Sequence, residues 1–153
     1  MRAALINKKW TLSSRPQTTV SKEHFNFETE SVRDLADGEF LVKNQYLSFE
    51  PAQRGWLNDV RSYVPPVAIG EVMRSVAAGE VIASKHPDYQ IGDRVQGGFG
   101  WQEYAISDGS GLFPVTRVPV DIPLSYPLHI YGLTGLTAYF GLLDIGQPKA
   151  GET

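Results

Sequence analysis

Three histidines and no cysteine set the first limit on what this chain can do chemically. His24, His86 and His129 fall on a strand-like run, a turn and a helical turn, far apart in sequence. A zinc ion needs three or four N, S or O ligands converging tetrahedrally, so the expectation is no metal centre and hydrogen-bonded surface imidazoles. With no cysteine, disulfides and thiolate metal sites are both excluded. Glu28 and Glu30 share the polar face of a strand-like run and read as solvated rather than as an acid/base pair. No Gly-x-Ser-x-Gly, P-loop or Gly-x-Gly-x-x-Gly pattern occurs. Gly97-Gly98-Phe99-Gly100 lacks the strand–turn–helix context of a phosphate loop and reads as a strand-joining turn.

What remains are binding groups. The planar fork of Arg54 suits a phosphate or carboxylate clamp, with bracing of a loop as the alternative. Tyr63 and Trp101 either wall an apolar pocket or pack into the core. Leu133 and Thr137 are one helical turn apart and share a face, whereas Leu136, Phe140 and Leu143 read as core.

The elements that must position these residues are mostly short strands. Arg2–Lys8, leading to Trp10, suits an opening strand, and residues 11–21 suit a loop. His24–Glu30 alternates polar and mostly apolar side chains, Asp37-Gly38 supplies a hairpin-type turn, and Glu39–Phe49 is a long β-rich run. Glu50–Trp56 breaks the pattern as a turn or single helical turn, and Pro65-Pro66 is a second break. Strands are expected over Gly70–Ala77, Gly79–Ser84, Asp93–Gly97 and Gln102–Ser107, with Ile91-Gly92-Asp93 as the turn feeding one of them. Strands punctuated by 15 Gly and 10 Pro predict a mainly β fold, a closed or partly closed barrel. After a helical turn at Tyr126–Tyr131, apolar residues at Leu133, Leu136, Phe140 and Leu143 mark a helix, with Thr134 as N-cap and Gly146 with Pro148 as its stop.

At 153 residues, 42% hydrophobic and 20% charged, the chain can bury a real core. A net charge of −3 gives no reason to expect nucleic-acid or anionic-membrane binding. There is no 18-residue apolar run and no leader-like N-terminus, so the expectation is a cytoplasmic protein with no membrane span.

Six segments in order resemble one family. They are Tyr46-Leu47-Ser48-Phe49-Glu50-Pro51-Ala52-Gln53-Arg54-Gly55, Ser62–Pro66, Gly79–Tyr89, Gly92-Asp93-Arg94-Val95, Gly100-Trp101-Gln102-Glu103-Tyr104 and Gly132–Tyr139. Together they resemble the N-terminal, GroES-like domain of the medium-chain dehydrogenase/reductase superfamily, in its branch of NADP(H)-dependent alkenal, prostaglandin and curcumin reductases. The resemblance implies a GroES-like irregular β-barrel over residues 1–124 and a helical segment over residues 125–153, leading through Gly151-Glu152-Thr153 into a Rossmann domain that lies beyond this chain. It implies reduction of the C=C bond of α,β-unsaturated aldehydes or ketones by the full-length protein, a homodimer, with NADP(H) held mainly by that C-terminal domain. The fragment alone is then inactive.

Zinc-dependent relatives carry Gly-His-Glu where this chain has Ile69-Gly70-Glu71-Val72, so the resemblance implies a zinc-independent enzyme. It places Pro51, Ala52, Arg54, Tyr63, Trp101, Leu133 and Thr137 toward substrate or nicotinamide, with no catalytic residue of this chain assigned. The family's usual Asp-Pro-Tyr-Met-Arg is Glu50-Pro51-Ala52-Gln53-Arg54 here, which trades an aromatic wall for a methyl group. Its Gly-Met-x-Gly is Gly132-Leu133-Thr134-Gly135. A quinone reductase of the same superfamily is one alternative. A freestanding GroES-like binding module is another, although the Leu133–Leu143 stripe would then have little to pack on.

Overall fold

In a computed structural model, which describes residues 4–152, the chain is mainly β with a few helices near its C-terminal end. The start of the opening strand expected at Arg2 lies outside the described residues. β1 (Ile6–Leu12) and β2 (Phe25–Ser31) form an antiparallel ribbon in register from Ile6 opposite Ser31 to Leu12 opposite Phe25. The seven residues of each strand pair without a bulge, and Phe27 lies against Trp10 opposite it at 5.0 Å between centroids. β3 (Phe40–Leu47), β4 (Ala77–Ser84), β5 (Arg94–Gly97), β6 (Tyr104–Ser107) and β7 (Thr116–Arg117) form a second antiparallel sheet in the order β6-β3-β4-β5-β7.

The expected barrel does not close. Among the described residues the ribbon meets the segments flanking the larger sheet through single bridges, Lys9 with Gln102 and Thr11 with Val72, rather than through a ladder. The strand expected over Gly70–Ala77 is largely irregular. Gly70, at φ +88°, donates its N–H to the Leu12 carbonyl, and Met73 donates to that of Trp10, so the segment leans on β1 through separate bonds rather than a ladder. Positive φ there takes the chain out of the extended region that a strand needs.

The core lies in two main clusters. Phe40, Val42, Val81 and Val95 pack between strands of the larger sheet, with Tyr89 stacked on Phe40 at 4.3 Å between centroids. Leu12, Trp56, Leu57, Val67 and Met73 bind the ribbon to α1 (Pro51–Trp56) and to the loop beyond it. Pro51 opens α1 at its first position, where its missing N–H costs nothing.

Turn chemistry positions the C-terminal helical region. Gly92, at φ +93°, feeds β5, and the next residue but one, Arg94, donates to the carbonyls of Pro119 (2.8 Å) and Ile122 (2.7 Å). That anchors the approach to a 3-10 turn at Tyr126–Leu128 and to α2 (Leu133–Phe140). The N-cap of α2 is Gly132 rather than Thr134, whose hydroxyl instead donates to the His129 carbonyl at 3.1 Å. A Cβ at Gly132 would overlap the Pro127 carbonyl and one at Gly135 the Ile130 carbonyl, which accounts physically for the glycines of this segment. Beyond α2 the chain continues in π-helical turns, Gly141–Gly146, and stops at Gln147, in the left-handed conformation at φ 45° just before Pro148.

Candidate functional site

A cleft of about 510 Å³ opens between the sheet and the start of α2. Val76, Phe113, Leu128, Leu133 and Leu136 make it apolar, while Glu50, Gln96, Thr116 and Tyr131 bring polar groups to its walls. Apolar walls with a few placed polar groups are the usual build of a small-molecule site. Gln96 donates through Nε2 to the Thr116 hydroxyl at 2.6 Å, bracing β5 against β7 beside the cleft. Glu50 accepts the Ser48 hydroxyl on Oε1 at 2.7 Å. Ser48 is buried, and its carbonyl accepts both Gln53 Nε2 and the Ser75 hydroxyl at 2.8 Å, so the turn presenting Glu50 is held by a buried polar network.

The sequence-derived candidates do not converge on one cavity. Leu133 lines the cleft and is 71% exposed. Pro51 adjoins Glu50 at the start of α1 and is exposed. Ala52 is partly buried against the cluster of Leu12, Trp56 and Met73, and Phe113, which walls the cleft, packs on the same cluster. Arg54 donates to Asn58 Oδ1 (2.7 Å) and to the carbonyls of Thr18 (3.0 Å) and Pro16 (3.3 Å), which is the loop-bracing arrangement. Tyr63 is exposed, its hydroxyl accepting the Trp56 indole N–H at 3.2 Å.

Trp101 lies against Phe25 and Phe49, at 5.3 and 5.2 Å between centroids, and lines a separate hollow of about 290 Å³ with Trp10, Phe27 and Tyr46. Thr137 donates its hydroxyl to the Leu133 carbonyl at 2.7 Å, the i−4 back-bond of a helical threonine. Leu136, expected in the core, lines the cleft at 49% exposure, and Phe140 and Leu143 are also about half exposed. Glu50, Gln96, Thr116 and Tyr131 were not among the candidates. They come from four separate segments, and only the position of Glu50, next to Pro51, marked any of them in the sequence.

The histidines stay apart. His24 Nδ1 accepts the Ser21 N–H at 3.0 Å, His86 Nδ1 accepts the Asp88 N–H at 3.0 Å, and His129 lies edge-on to Tyr126. Among the described residues no three His, Cys, Asp or Glu side chains are grouped to hold a metal ion. The carboxyls with displaced pKa values lie outside the cleft. Hydrogen bonds from the Arg33 guanidinium and the Ala36 N–H lower Glu39 to about 2, and the Ser110 hydroxyl and N–H lower Asp108. No helix among the described residues is long and apolar enough to cross a membrane.

Residues 8–115 match the family described as the N-terminal domain of oxidoreductase. The chain belongs to that family. It is 46% identical over 147 residues to the NADPH-dependent curcumin reductase of Escherichia coli (strain K12), covering 96% of this chain and 42% of that protein. It is 35% identical over 150 residues to prostaglandin reductase 1 of Mus musculus, covering 95% and 43%. Among solved structures, CurA in complex with NADPH from Vibrio vulnificus is similar at a TM-score of 0.81 and 42% identity, covering 95% of this chain and 42% of that one. The chain thus spans about 42% of the length of these relatives.

Proposed function

We propose that this chain is the substrate-side part of an NADP(H)-dependent reductase of the C=C bond in α,β-unsaturated aldehydes and ketones. Residues 1–124 are the GroES-like part and residues 125–153 the link to a C-terminal Rossmann domain, in a zinc-independent, cytoplasmic, homodimeric full-length protein. The observation that carries this reading is the open apolar cleft. The sheet supplies its floor, but its lip at Tyr131, Leu133 and Leu136 faces solvent, in a chain close in sequence to NADPH-dependent reductases more than twice its length.

The described residues fit one end of the cofactor only. Leu133, Leu136 and Val76 offer an apolar surface to one face of a flat nicotinamide ring, and Thr137 lies one turn along from Leu133. Gly132 opens α2, but it follows a 3-10 turn rather than a strand and belongs to no Gly-x-Gly-x-x-Gly pattern, so we assign the phosphates to the C-terminal domain. When bound, NADPH supplies a hydride to the β-carbon of the enone.

This chain's own residues act around that step. Val76, Phe113 and Leu128 exclude water from the reacting double bond. Tyr131 brings a phenolic donor to the same wall, where it can hold the negative charge that develops on the enolate oxygen. Ala52, where the family's usual residue is aromatic, packs with Phe113 on the Leu12, Trp56 and Met73 cluster, so its size acts on the cleft through Phe113.

Steady-state NADPH oxidation by the full-length protein tests the reading. Faster turnover of a 2-alkenal than of a quinone is expected. The reverse order would favour a quinone reductase, and no turnover of either would leave a binding module.

A further inference from the structure

We infer that Glu50 is a specificity-determining residue of the cleft, selecting neutral enones and rejecting those that carry a carboxylate beside the double bond. The inference rests on the reductase reading above. Glu50 is the one charged side chain among the described residues lining the cleft, and the rest of the lining is apolar or neutral. No Lys or Arg forms an ion pair with it among the described residues.

Two features keep the carboxylate there. Glu50 is the N-cap residue of α1, yet its side chain makes no capping hydrogen bond. An aspartate at an N-cap has the length to accept a first-turn N–H and be consumed by it. The extra methylene of Glu50 carries the carboxylate past that position, and Oε1 accepts the Ser48 hydroxyl at 2.7 Å instead. Ser48 is itself fixed by Gln53 and Ser75, all three being buried, so the charge is held rather than free to swing into solvent.

A fixed negative charge on an apolar wall acts against a like charge on the ligand. Bringing the two together in a site from which water is largely displaced is costly, whereas a neutral ligand of the same shape meets no such cost. The substrate class assigned is therefore the neutral alkenal, alkenone or enoate ester.

The test compares 4-oxo-2-pentenoate with its methyl ester as substrates of the full-length protein, as the ratio of kcat/KM for ester over acid. The two compounds differ in intrinsic reactivity, but that difference is common to every variant, so the change in ratio between variants isolates Glu50. Glu50→Gln is expected to lower the ratio about tenfold, a factor that corresponds to about 1.4 kcal/mol, mainly by raising kcat/KM for the acid. Glu50→Asp, which keeps the charge but can return it to the cap, is expected to lower the ratio by a smaller factor, and it guards against loss of folding in the first variant. A ratio unchanged in both variants, with the ester still reduced, overturns the inference and leaves the reductase reading intact. Failure of the wild-type protein to reduce the ester overturns that reading and the inference with it.

Discussion

Phe140→Ala should be mild in this chain and severe in the full-length protein. Phe140 is 50% exposed, its ring edge-on to Tyr139 at 5.3 Å between centroids. Complete burial of such a side chain stabilises by about 1.5–3 kcal/mol relative to exposure. With half its surface in water, Phe140 supplies about 1 kcal/mol here, of which the better helix propensity of alanine returns roughly 0.5 kcal/mol. The net loss in the 153-residue chain is then about 0.5 kcal/mol. If a second domain covers the face formed by Leu136, Phe140 and Leu143, the same change deletes a buried aromatic and costs about 3–5 kcal/mol. Urea unfolding of both proteins, followed by circular dichroism, should show the loss at least about 2 kcal/mol larger in the full-length protein, beyond the uncertainty of the extrapolation. Equal losses would refute the reasoning, because the face would then be no better covered in the longer protein.

Glu39 stabilises the fold only while it is ionised. Its pKa is depressed to about 2, so its contribution is complete above the ordinary carboxylate range and lost as pH falls toward 2. Arg33→Met should bring the Glu39 titration, followed by NMR, back up toward 4.5. An unmoved titration would show that the Ala36 N–H alone sets it. In the full-length protein, Ala52→Tyr should disfavour bulky enones against short alkenals by about 1–3 kcal/mol in relative kcat/KM, the scale for overfilling a packed site. Thr137→Val, which removes the hydroxyl at nearly constant shape, should raise KM for NADPH. Unchanged substrate ranking and unchanged KM would remove both residues from the site.

Local order was legible in the sequence wherever one short-range rule decided it. The strand-like run in residues 24–30 and the apolar spacing from Leu133 became the expected elements, whereas Asp37-Gly38, with Gly38 at φ +80°, is a turn but joins no hairpin, because β2 and β3 lie in different sheets. Closure of the barrel was not legible, because it depends on hydrogen bonds between distant strand ends, and among the described residues only two single bridges formed there. The strand expected over Gly70–Ala77 failed at Gly70, whose positive φ the apolar pattern does not encode. Thr134 has the chemistry of a cap, but the tight turns over Pro127 and Ile130 demand glycine and place the cap at Gly132, just before the helix begins at Leu133. Of the cleft residues the sequence flagged Leu133 alone as site-facing, because segment resemblance identifies loops and not which side chains face a common space. Gln96 and Thr116 meet only through the pairing of β5 with β7, a two-residue strand that no pattern announced.

NADPH oxidation in the presence of 2-hexenal, measured side by side for this chain and for the full-length protein at equal concentration, tests the half-site idea most directly. The expected result is NADPH consumption matched by formation of hexanal with the full-length protein and none above background with residues 1–153. Turnover by the 153-residue chain alone would contradict it, since the chain would then hold both the cofactor and the complete catalytic apparatus.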